Sequence, residues 1–304
     1  MRTLYQLQNQ TISPSRVGHA NIHFYLSPDE KTKQELVNTY GIDEHTLNSA
    51  LDPEELSRIE FEPNHVAIIF KRPRNYSAED KFFFRVVSAG MFLFSDSLII
   101  VSDEDLSLFE GRHFQKIHSL HEVILRVLSA TIVHFYDHLK IINSVSVGIE
   151  QKINTSLENK HLINMFALEK SLVYYLNAIN ANGIVLEKLR INATKFNMDP
   201  DCQELLEDLR IENRQCAKQA EIYSNILGSL MDARVSIVNN NLNVLMKTLT
   251  KITLLLMAPT LIVSIFSVNV PFPMQGTRFG FGVIVGLAMA SIAAIVIFFR
   301  YKRW

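Results

Sequence analysis

Residues 252–270 read ITLLLMAPTLIVSIFSVNV, and residues 280–299 read GFGVIVGLAMASIAAIVIFF. Neither stretch contains a charged side chain. As a helix, each would be roughly 30 Å long, which is about the thickness of the hydrocarbon core of a bilayer. Only the short, proline-containing segment 271–279 separates them, so they must form a tight hairpin. The pair therefore predicts two transmembrane helices.

Basic residues flank both outer ends of this hairpin, and we call them the basic collar: Lys247, Lys251, Arg300, Lys302 and Arg303. Lys and Arg concentrate on the cytoplasmic side of membrane proteins. The sequence thus predicts a multi-pass protein of the cytoplasmic (inner) membrane with both termini in the cytoplasm. In this topology residues 269–279 form the extracytoplasmic loop, 280–299 the second transmembrane helix, and 300–304 a basic cytoplasmic tail.

The charges are divided unevenly along the chain of 304 residues. It has 30 Lys+Arg and 31 Asp+Glu, a formal net charge of −1. Since no acid follows Met246 and six basic residues do, the first 246 residues carry −7. This acidic body excludes a nucleic-acid binder, and the apolar block excludes a purely soluble enzyme. Two cysteines and an N-terminus without an apolar run favour folding in a reducing cytoplasm.

A stripe of polar and small side chains leads into the first apolar stretch. Steps of three and four residues back from Ser267 stay on one face of a helix for more than 40 residues. The residues predicted to line a pore on this face are Asp232, Asn239, Asn243, Met246, Thr250, Thr253, Met257, Thr260 and Ser264. One helix cannot enclose a pore, so this interpretation requires a cyclic homo-oligomer. The alternative is a solvated stalk face whose hydroxyls bond to the carbonyls one turn back.

The remaining chain predicts a cytoplasmic body built from a sheet and long helices. Residues 1–112 are predicted to form an α/β domain, with strand-like runs at Asn21–Leu26, Arg58–Phe61, His65–Phe70, Lys81–Val87 and Met91–Val101. Asp52-Pro53 has the residue types of a helix start. Residues 113–198 are predicted to form two antiparallel helices, and 199–268 a stalk that continues into the first transmembrane helix. The fold class is therefore α+β with a long helical stalk and two C-terminal transmembrane helices.

Several of these segments resemble the CorA family of divalent-cation channels. The similar segments are Asn243–Thr250, Pro259-Thr260, Ser267-Val268-Asn269 and Leu51–Glu60, together with the two-span end and the basic, Trp-containing tail. The resemblance implies a cyclic pentamer with a funnel-shaped cytoplasmic domain in the lipid bilayer. It also implies that Mg²⁺ or another divalent cation is bound or transported.

The resemblance also implies roles for individual residues. Ser267, Val268 and Asn269 would form the outer selectivity loop, where an amide ring meets the hydrated ion. Met246 and Leu249 match the hydrophobic gate of the family, and Asp232 matches a carboxylate ring in the funnel.

The outer loop departs from the family pattern. Ser267-Val268 replaces the Gly-Met of the family signature, and the loop has no acid but contains Arg278. The expected function is therefore passive transport of Mg²⁺ or of Zn²⁺, Co²⁺ or Ni²⁺, gated by cytoplasmic divalent ions. The alternative is a non-conducting, membrane-anchored oligomer that binds partners in response to divalent ions.

Candidate metal-binding side chains also occur in the body. By the resemblance, Asp208 coincides with a position that binds regulatory Mg²⁺ between subunits, and Asp80 is its predicted partner from loop position alone. His134 and His138 lie one helical turn apart, a spacing that can hold Zn²⁺, although no third ligand is apparent and a metal-free pair is favoured. No Ser-His-Asp set, phosphate loop or C-x-x-C pair is recognisable, so we predict no catalytic residue and no enzyme activity.

Overall fold

The computed structural model of the chain describes residues 1–16, 18–77, 80, 82–105, 109, 114, 116–155, 159–268 and 279–302. These residues fall into two compact units, Met1–Ser229 and Leu230–Trp304. The strands are β1 (Arg2–Gln8), β2 (Thr11–Pro14), β3 (Ile22–Leu26), β4 (Arg58–Phe61), β5 (Val66–Pro73), β6 (Val86–Leu93) and β7 (Leu98–Ser102). The helices are α1 (Glu30–Tyr40), α2 (Glu44–Ser49), α3 (Leu120–Thr155), α4 (Asn159–Ile191), α5 (Pro200–Phe266) and α6 (Gly280–Tyr301). This architecture confirms the predicted α+β class with a long helix and two C-terminal apolar helices.

One seven-stranded sheet organises the first unit, in the order β2-β1-β3-β7-β6-β5-β4. Neighbouring strands are antiparallel except β3 and β7, which are parallel. A parallel pair needs a crossover, and here the chain passes through α1, α2 and β4 to β6 before it returns as β7. The central strands β5, β6 and β7 are buried along almost their whole length, as expected when helices cover both faces.

Helices α1 and α2 cover one face of the sheet. Leu36 of α1 and Leu47 of α2 pack into one buried cluster with Phe92 and Ile99 of the sheet. Gly90 permits this close packing, because a Cβ atom at that position would lie 2.6 Å from the Cβ atom of Ala50.

The side chain of Asn182 on α4 joins this helix to strand β5. Strand β4 pairs only with residues 66–69 of β5. The backbone N–H and C=O of Lys71 therefore lie beyond the end of β4 and cannot form hydrogen bonds with it. Instead, the Lys71 N–H donates to Asn182 Oδ1 at 2.8 Å, and Asn182 Nδ2 donates to the Lys71 carbonyl at 2.6 Å. Ser57 Oγ also donates to Asn182 Oδ1, at 3.0 Å. We call this buried arrangement the Asn182 clamp.

The structure corrects three local sequence predictions. Lys81–Val87 was expected to be a strand, but β6 begins only at Val86. Met91–Val101 was expected to be one run, but a turn closed by the Phe94 N–H to the Ser97 carbonyl divides it into β6 and β7. The third correction is that no helix begins at Asp52-Pro53.

The hairpin of β1 and β2 at the edge of the sheet was not predicted, although the expected domain included these residues. Its side chains are exposed or only half-buried, so the strands lack the strong apolar pattern of the central sheet.

Helix α5 begins where the sequence predicts. Asp199 caps it by accepting a hydrogen bond from the Cys202 N–H at 2.7 Å, and Pro200 occupies the first helical position. The helix continues through Pro259 to Phe266. Helix α3, the first of the two long helices before α5, begins at Leu120, later than residue 113 where the helical domain was expected to start.

Candidate ion pathway and metal-binding residues

Helix α5 presents the predicted pore stripe on a face of its own within the second unit. The half-buried residues of its apolar part lie along one seam: Lys251, Leu255, Ala258, Pro259, Ile262 and Phe266. Thr250, Thr253, Met257, Thr260 and Ser264 precede these seam residues by one or two positions and are all exposed. At about 100° per residue, the stripe is rotated by roughly 100–200° from the seam. The stripe is therefore free for contacts outside this chain.

Helix α6 has a matching seam of its own. Ile284, Ala288, Ser291 and Ile295 are half-buried, and Phe299 is buried. In both helices the partly buried residues recur at steps of three or four positions, with Pro259 and Ile292 directly beside a seam residue, which is typical of helices that pack side by side. Both helices are long and apolar enough to cross a membrane.

The hydroxyl groups of the stripe donate to carbonyls one turn back in their own helix, which is the bonding that the alternative interpretation of the stripe expects. Thr250 Oγ1 donates to the Met246 carbonyl at 2.9 Å, and Thr253 Oγ1 to the Leu249 carbonyl at 2.9 Å. Thr260 Oγ1 donates to the Leu256 carbonyl at 2.6 Å. Since a hydroxyl has one donor and two acceptor lone pairs, each oxygen keeps acceptor capacity after this bond. The stripe thus presents acceptors, and acceptors are what the water shell of a cation needs.

The two predicted gate residues are large, apolar and exposed in the single chain. Met246 is 65% exposed and Leu249 is 62% exposed. Asn239, Asn243 and Asp232, which lie further towards the N-terminus of α5, are also exposed. Apolar side chains with this exposure need lipid or other protein chains around them.

The basic collar lies at the end of each apolar helix that is remote from the loop. Lys247 is exposed and Lys251 is half-buried at the start of the apolar part of α5. Arg300 and Lys302 are exposed at the C-terminal end of α6. Arg303 lies outside the described residues.

The described chain reaches two residues of the predicted selectivity loop. Ser267 turns back on the helix end, with its N–H 3.2 Å and its Oγ 2.8 Å from the Ser264 carbonyl. Val268 is exposed. Asn269, the residue on which the proposed filter depends, lies outside the described residues.

Asp208 and Asp80, the predicted regulatory pair, lie in different local settings. Asp208 is exposed on α5 and has no ion-pair partner among the described residues. The Asp80 carboxylate accepts hydrogen bonds from the N–H and Oγ of Ser77, at 2.8 and 3.0 Å. These bonds, together with Arg74 and Arg85 nearby, lower the pKa of Asp80. One of its two carboxylate oxygens, Oδ2, is thus already engaged by both bonds, so Asp208 is the more available of the two acids.

His134 and His138 face each other between α3, α4 and the sheet. Their Nε2 atoms are 3.1 Å apart, and Nδ1 of His138 is 2.6 Å from the Tyr175 hydroxyl. Burial lowers the pKa of both histidines to about 4, and Arg72 adds to this effect. Burial also raises the pKa of Tyr175, which therefore keeps its proton and can donate it to Nδ1 of His138.

These bonds assign the histidine pair a structural role. If Tyr175 donates to Nδ1 of His138, then His138 carries its proton on Nε2 and donates it to His134. A metal between them would need both Nε2 lone pairs and further ligands. Among the described residues, no group of three or more His, Cys, Asp and Glu side chains could hold a metal. Sequence reasoning missed Tyr175 and Arg72, because they come from distant parts of the chain.

The histidine pair predicts a loss of stability in mild acid. Because the folded-state pKa of about 4 is below the ordinary value of 6.5, the unfolded chain binds more protons between these values. Stability is fully present above pH 6.5 and falls as the pH drops towards 4. We expect the Tm of His134→Gln to fall less steeply than that of the wild type between pH 6.5 and 4.5. Thermal denaturation of the purified protein measures both slopes.

The control for this prediction is His45→Gln, since His45 is exposed on α2. This variant should keep the wild-type slope. Equal slopes for His134→Gln and the wild type would show that the pair does not take up protons on unfolding.

An α+β sheet domain, a 67-residue helix that enters an apolar segment, and a second apolar helix define a class of integral membrane protein. The family model described as "CorA-like Mg2+ transporter protein" matches residues 22–303. The chain therefore belongs to the CorA-like Mg²⁺ transporter family.

Individual relatives agree with this membership. A cobalt/magnesium transport protein CorA from Methanocaldococcus jannaschii is 25% identical over 295 residues, which cover 91% of this chain and 89% of that protein. The solved structure of the CorA magnesium transporter from the same organism gives a TM-score of 0.82 at 20% identity, covering 99% of this chain and 97% of the other. The solved structure of full-length CmaX gives a TM-score of 0.76 at 13% identity, covering 100% of this chain and 97% of the other. The two structural likenesses concern the fold alone.

Proposed function

We propose that this chain is the subunit of a divalent-cation channel of the cytoplasmic membrane, most simply a homopentamer. The observation that carries the proposal is the exposed stripe on α5, which runs through the apolar segment on a face away from the α5 seam. Because the chain belongs to this family, we assign this face to the wall of the pore. Mg²⁺ and Co²⁺ are the first candidate ions, because the relatives are named for them. We include Zn²⁺ and Ni²⁺ as further candidate ions because the loop signature is altered.

The stripe supports passage of a hydrated ion. Mg²⁺ gives up its water reluctantly, so a wall that hydrogen-bonds the water shell suits it better than one that strips the shell. The Thr and Ser oxygens, which keep acceptor lone pairs, supply such a wall. At the cytoplasmic side, rings of Met246 and Leu249 would form an apolar constriction that closes by dewetting.

The charge distribution supplies a driving force and a local concentration of cations. A divalent ion moving inward gains about 4.6 kcal/mol per 100 mV of membrane potential, so that no coupled reaction is needed. The acidic body would sum to about −35 in a five-fold ring and would attract divalent cations to the inner side. The basic collar and Arg278 oppose entry at the membrane surfaces, and the Asn269 amide ring would then act without help from outer carboxylates.

The second candidate function is a non-conducting oligomer that responds to divalent ions by binding partners. Ser267-Val268 favours it, because serine replaces a glycine that would allow close backbone approach, and the β-branched valine replaces a flexible methionine.

Ion flux into liposomes distinguishes the two functions. Purified oligomer would be reconstituted with a fluorescent indicator inside, and Mg²⁺, Co²⁺, Zn²⁺ and Ni²⁺ added outside under an inward potential. The channel predicts saturable influx of at least one ion. Assembled oligomer with no flux of any of the four would reject the channel and leave the second function.

Asp208→Ala is expected to weaken the response of the protein to cytoplasmic divalent ions. Asp208 is exposed on α5 without an ion-pair partner among the described residues, and the proposal places it in a divalent site between subunits. The measurement is the concentration of Mg²⁺ that protects α5 from proteolysis. We expect half-protection to require several-fold more Mg²⁺ in the variant, and an unchanged protection curve would remove Asp208 from the proposal.

Asp201→Ala is the matched control for Asp208→Ala, since Asp201 is an exposed acid in the first turn of the same helix. Asp80→Ala tests the proposed partner. If Asp80 contributes, its variant should shift the protection curve in the same direction as Asp208→Ala.

A further inference from the structure

A cavity of about 490 Å³ lies in the first unit between α4 and the strands β5 and β6. This volume falls in the range of about 300–1,000 Å³ that is usual for small-molecule sites. Its walls include Lys71, Arg85 and Lys170, the acid Glu54, and the apolar surfaces of Leu56 and Tyr174. None of its lining residues belongs to α5 or α6.

Lys71 is a buried cation held in a fixed position. Its side chain is only 6% exposed, and its backbone is fixed by the Asn182 clamp. The ammonium donates to the Pro53 carbonyl at 2.6 Å and to Ser88 Oγ at 2.8 Å. A third N–H remains, because an ammonium group has three donors. Burial lowers the pKa of Lys71, so a bound anion would stabilise its charged form.

Arg85 and Lys170 are held at the cavity by one aromatic ring. The Arg85 guanidinium carbon lies 5.5 Å from the ring centre of Phe83, and Lys170 Nζ lies 5.3 Å from it. Lys170 Nζ is also 5.7 Å from the ring centre of Tyr174. These contacts hold both cations in place but do not neutralise their charge, because an aromatic ring attracts a cation through its quadrupole and carries no net charge itself.

The cavity has an excess of positive charge. The other charged lining residues are already paired outside it, Arg74 with Glu104 and Glu55 with Arg58. Within the described part of the chain, Lys71, Arg85 and Lys170 have no carboxylate within ion-pair distance. Glu54 is the one unpaired acid among the described residues of the lining, and Asp52 acts on Lys71 from outside it. The unpaired lining groups leave a net charge of about +2, which matches a phosphate monoester at neutral pH.

An exposed apolar wall accompanies these cations. Leu56 is 64% exposed and Tyr174 is 42% exposed, although both line the cavity. An inorganic anion would leave both surfaces in water, whereas the flat base of a nucleotide could stack on the tyrosine ring.

We propose that this cavity binds a nucleoside monophosphate or a closely related nucleotide, with the phosphate on Lys71, Arg85 and Lys170 and the base against Tyr174 and Leu56. Through this site, a nucleotide in the cytoplasm would regulate a membrane transport protein. Its position beside the Asn182 clamp would let the ligand act on the packing of α4 against β5.

Calorimetric titration of the full-length protein in detergent tests the proposal. The probe is AMP, without added divalent ions, so that chelation of Mg²⁺ does not contribute. We expect saturable binding that the double variant Arg85→Gln/Lys170→Gln weakens by at least about tenfold, because charge-assisted contacts are lost. Lys160→Gln is the control, since Lys160 is an exposed lysine on the same helix outside the cavity.

Three results would overturn the proposal. The first is no AMP binding at millimolar concentration, and the second is equal affinity in the wild type and the double variant. The third is that inorganic phosphate or adenosine alone binds as tightly as AMP, since the site then would not recognise both parts of a nucleotide. A Tm of the double variant equal to that of the wild type verifies that the fold is intact.

Discussion

Asn269→Ala is expected to abolish ion uptake or to broaden its selectivity while the oligomer still assembles. If a ring of amides binds the water shell of the entering ion, the methyl groups of alanine remove every polar contact at that level. The loop 271–278 contains no acid that could take over this role. In the liposome assay, influx of the preferred ion should fall by at least about tenfold, or its preference over competing ions should disappear.

Gln275→Ala is the matched control, because it removes an amide from the same loop outside the signature. This variant should retain flux and selectivity. Size-exclusion chromatography with light scattering establishes that both variants keep the oligomer of the wild type. Wild-type flux and selectivity in Asn269→Ala would exclude Asn269 as the filter, whatever the rest of the pore does.

Asn182→Ala is expected to lower the free energy of unfolding of the first unit by about 3 kcal/mol or more, since it leaves a buried N–H and a buried C=O without partners. The two groups belong to Lys71, and the Ser57 hydroxyl loses its acceptor as well. In a domain of this size the Tm should fall by roughly 6–12 °C. Thermal denaturation of the full-length protein in detergent measures the shift.

Asn180→Ala controls for the loss of an asparagine from α4. Asn180 is exposed two residues away, so its replacement should change the stability by less than about 0.5 kcal/mol. If Asn182→Ala and Asn180→Ala unfold at the same temperature, water replaces the Asn182 amide without cost, and the clamp does not stabilise the domain.

The failed prediction at Asp52-Pro53 shows how tertiary contacts override a local signal. A helix that started there would need the Asp52 and Pro53 carbonyls as acceptors for its own first turn. In the fold, Ser88 Oγ donates to the Asp52 carbonyl at 2.6 Å and Lys71 Nζ to the Pro53 carbonyl at 2.6 Å. Both donors are distant in sequence, so no local pattern contains this information.

The candidate functional residues divide in the same way. The stripe from Asp232 to Ser264 could be read from the sequence, because a helix repeats regularly and its residues are neighbours along one element. The roles of Asp208, Asp80 and Asn269 came only from the resemblance and stay predictions. The basic cavity could not be found in the sequence, because Lys71, Arg85 and Lys170 meet only when β5, β6 and α4 pack together.

The sequence by itself determined the two apolar helices, the basic collar, the acidic body and the phase of the polar stripe. All of these depend on composition or on periodicity within one helix. Only the tertiary structure decided that Asn182 replaces a missing strand partner, that His134 and His138 share a proton network with Tyr175, and that three cations surround one cavity. The physical reason is that a buried polar group takes its partner from whichever element packs against it, and this choice is not encoded in local spacing.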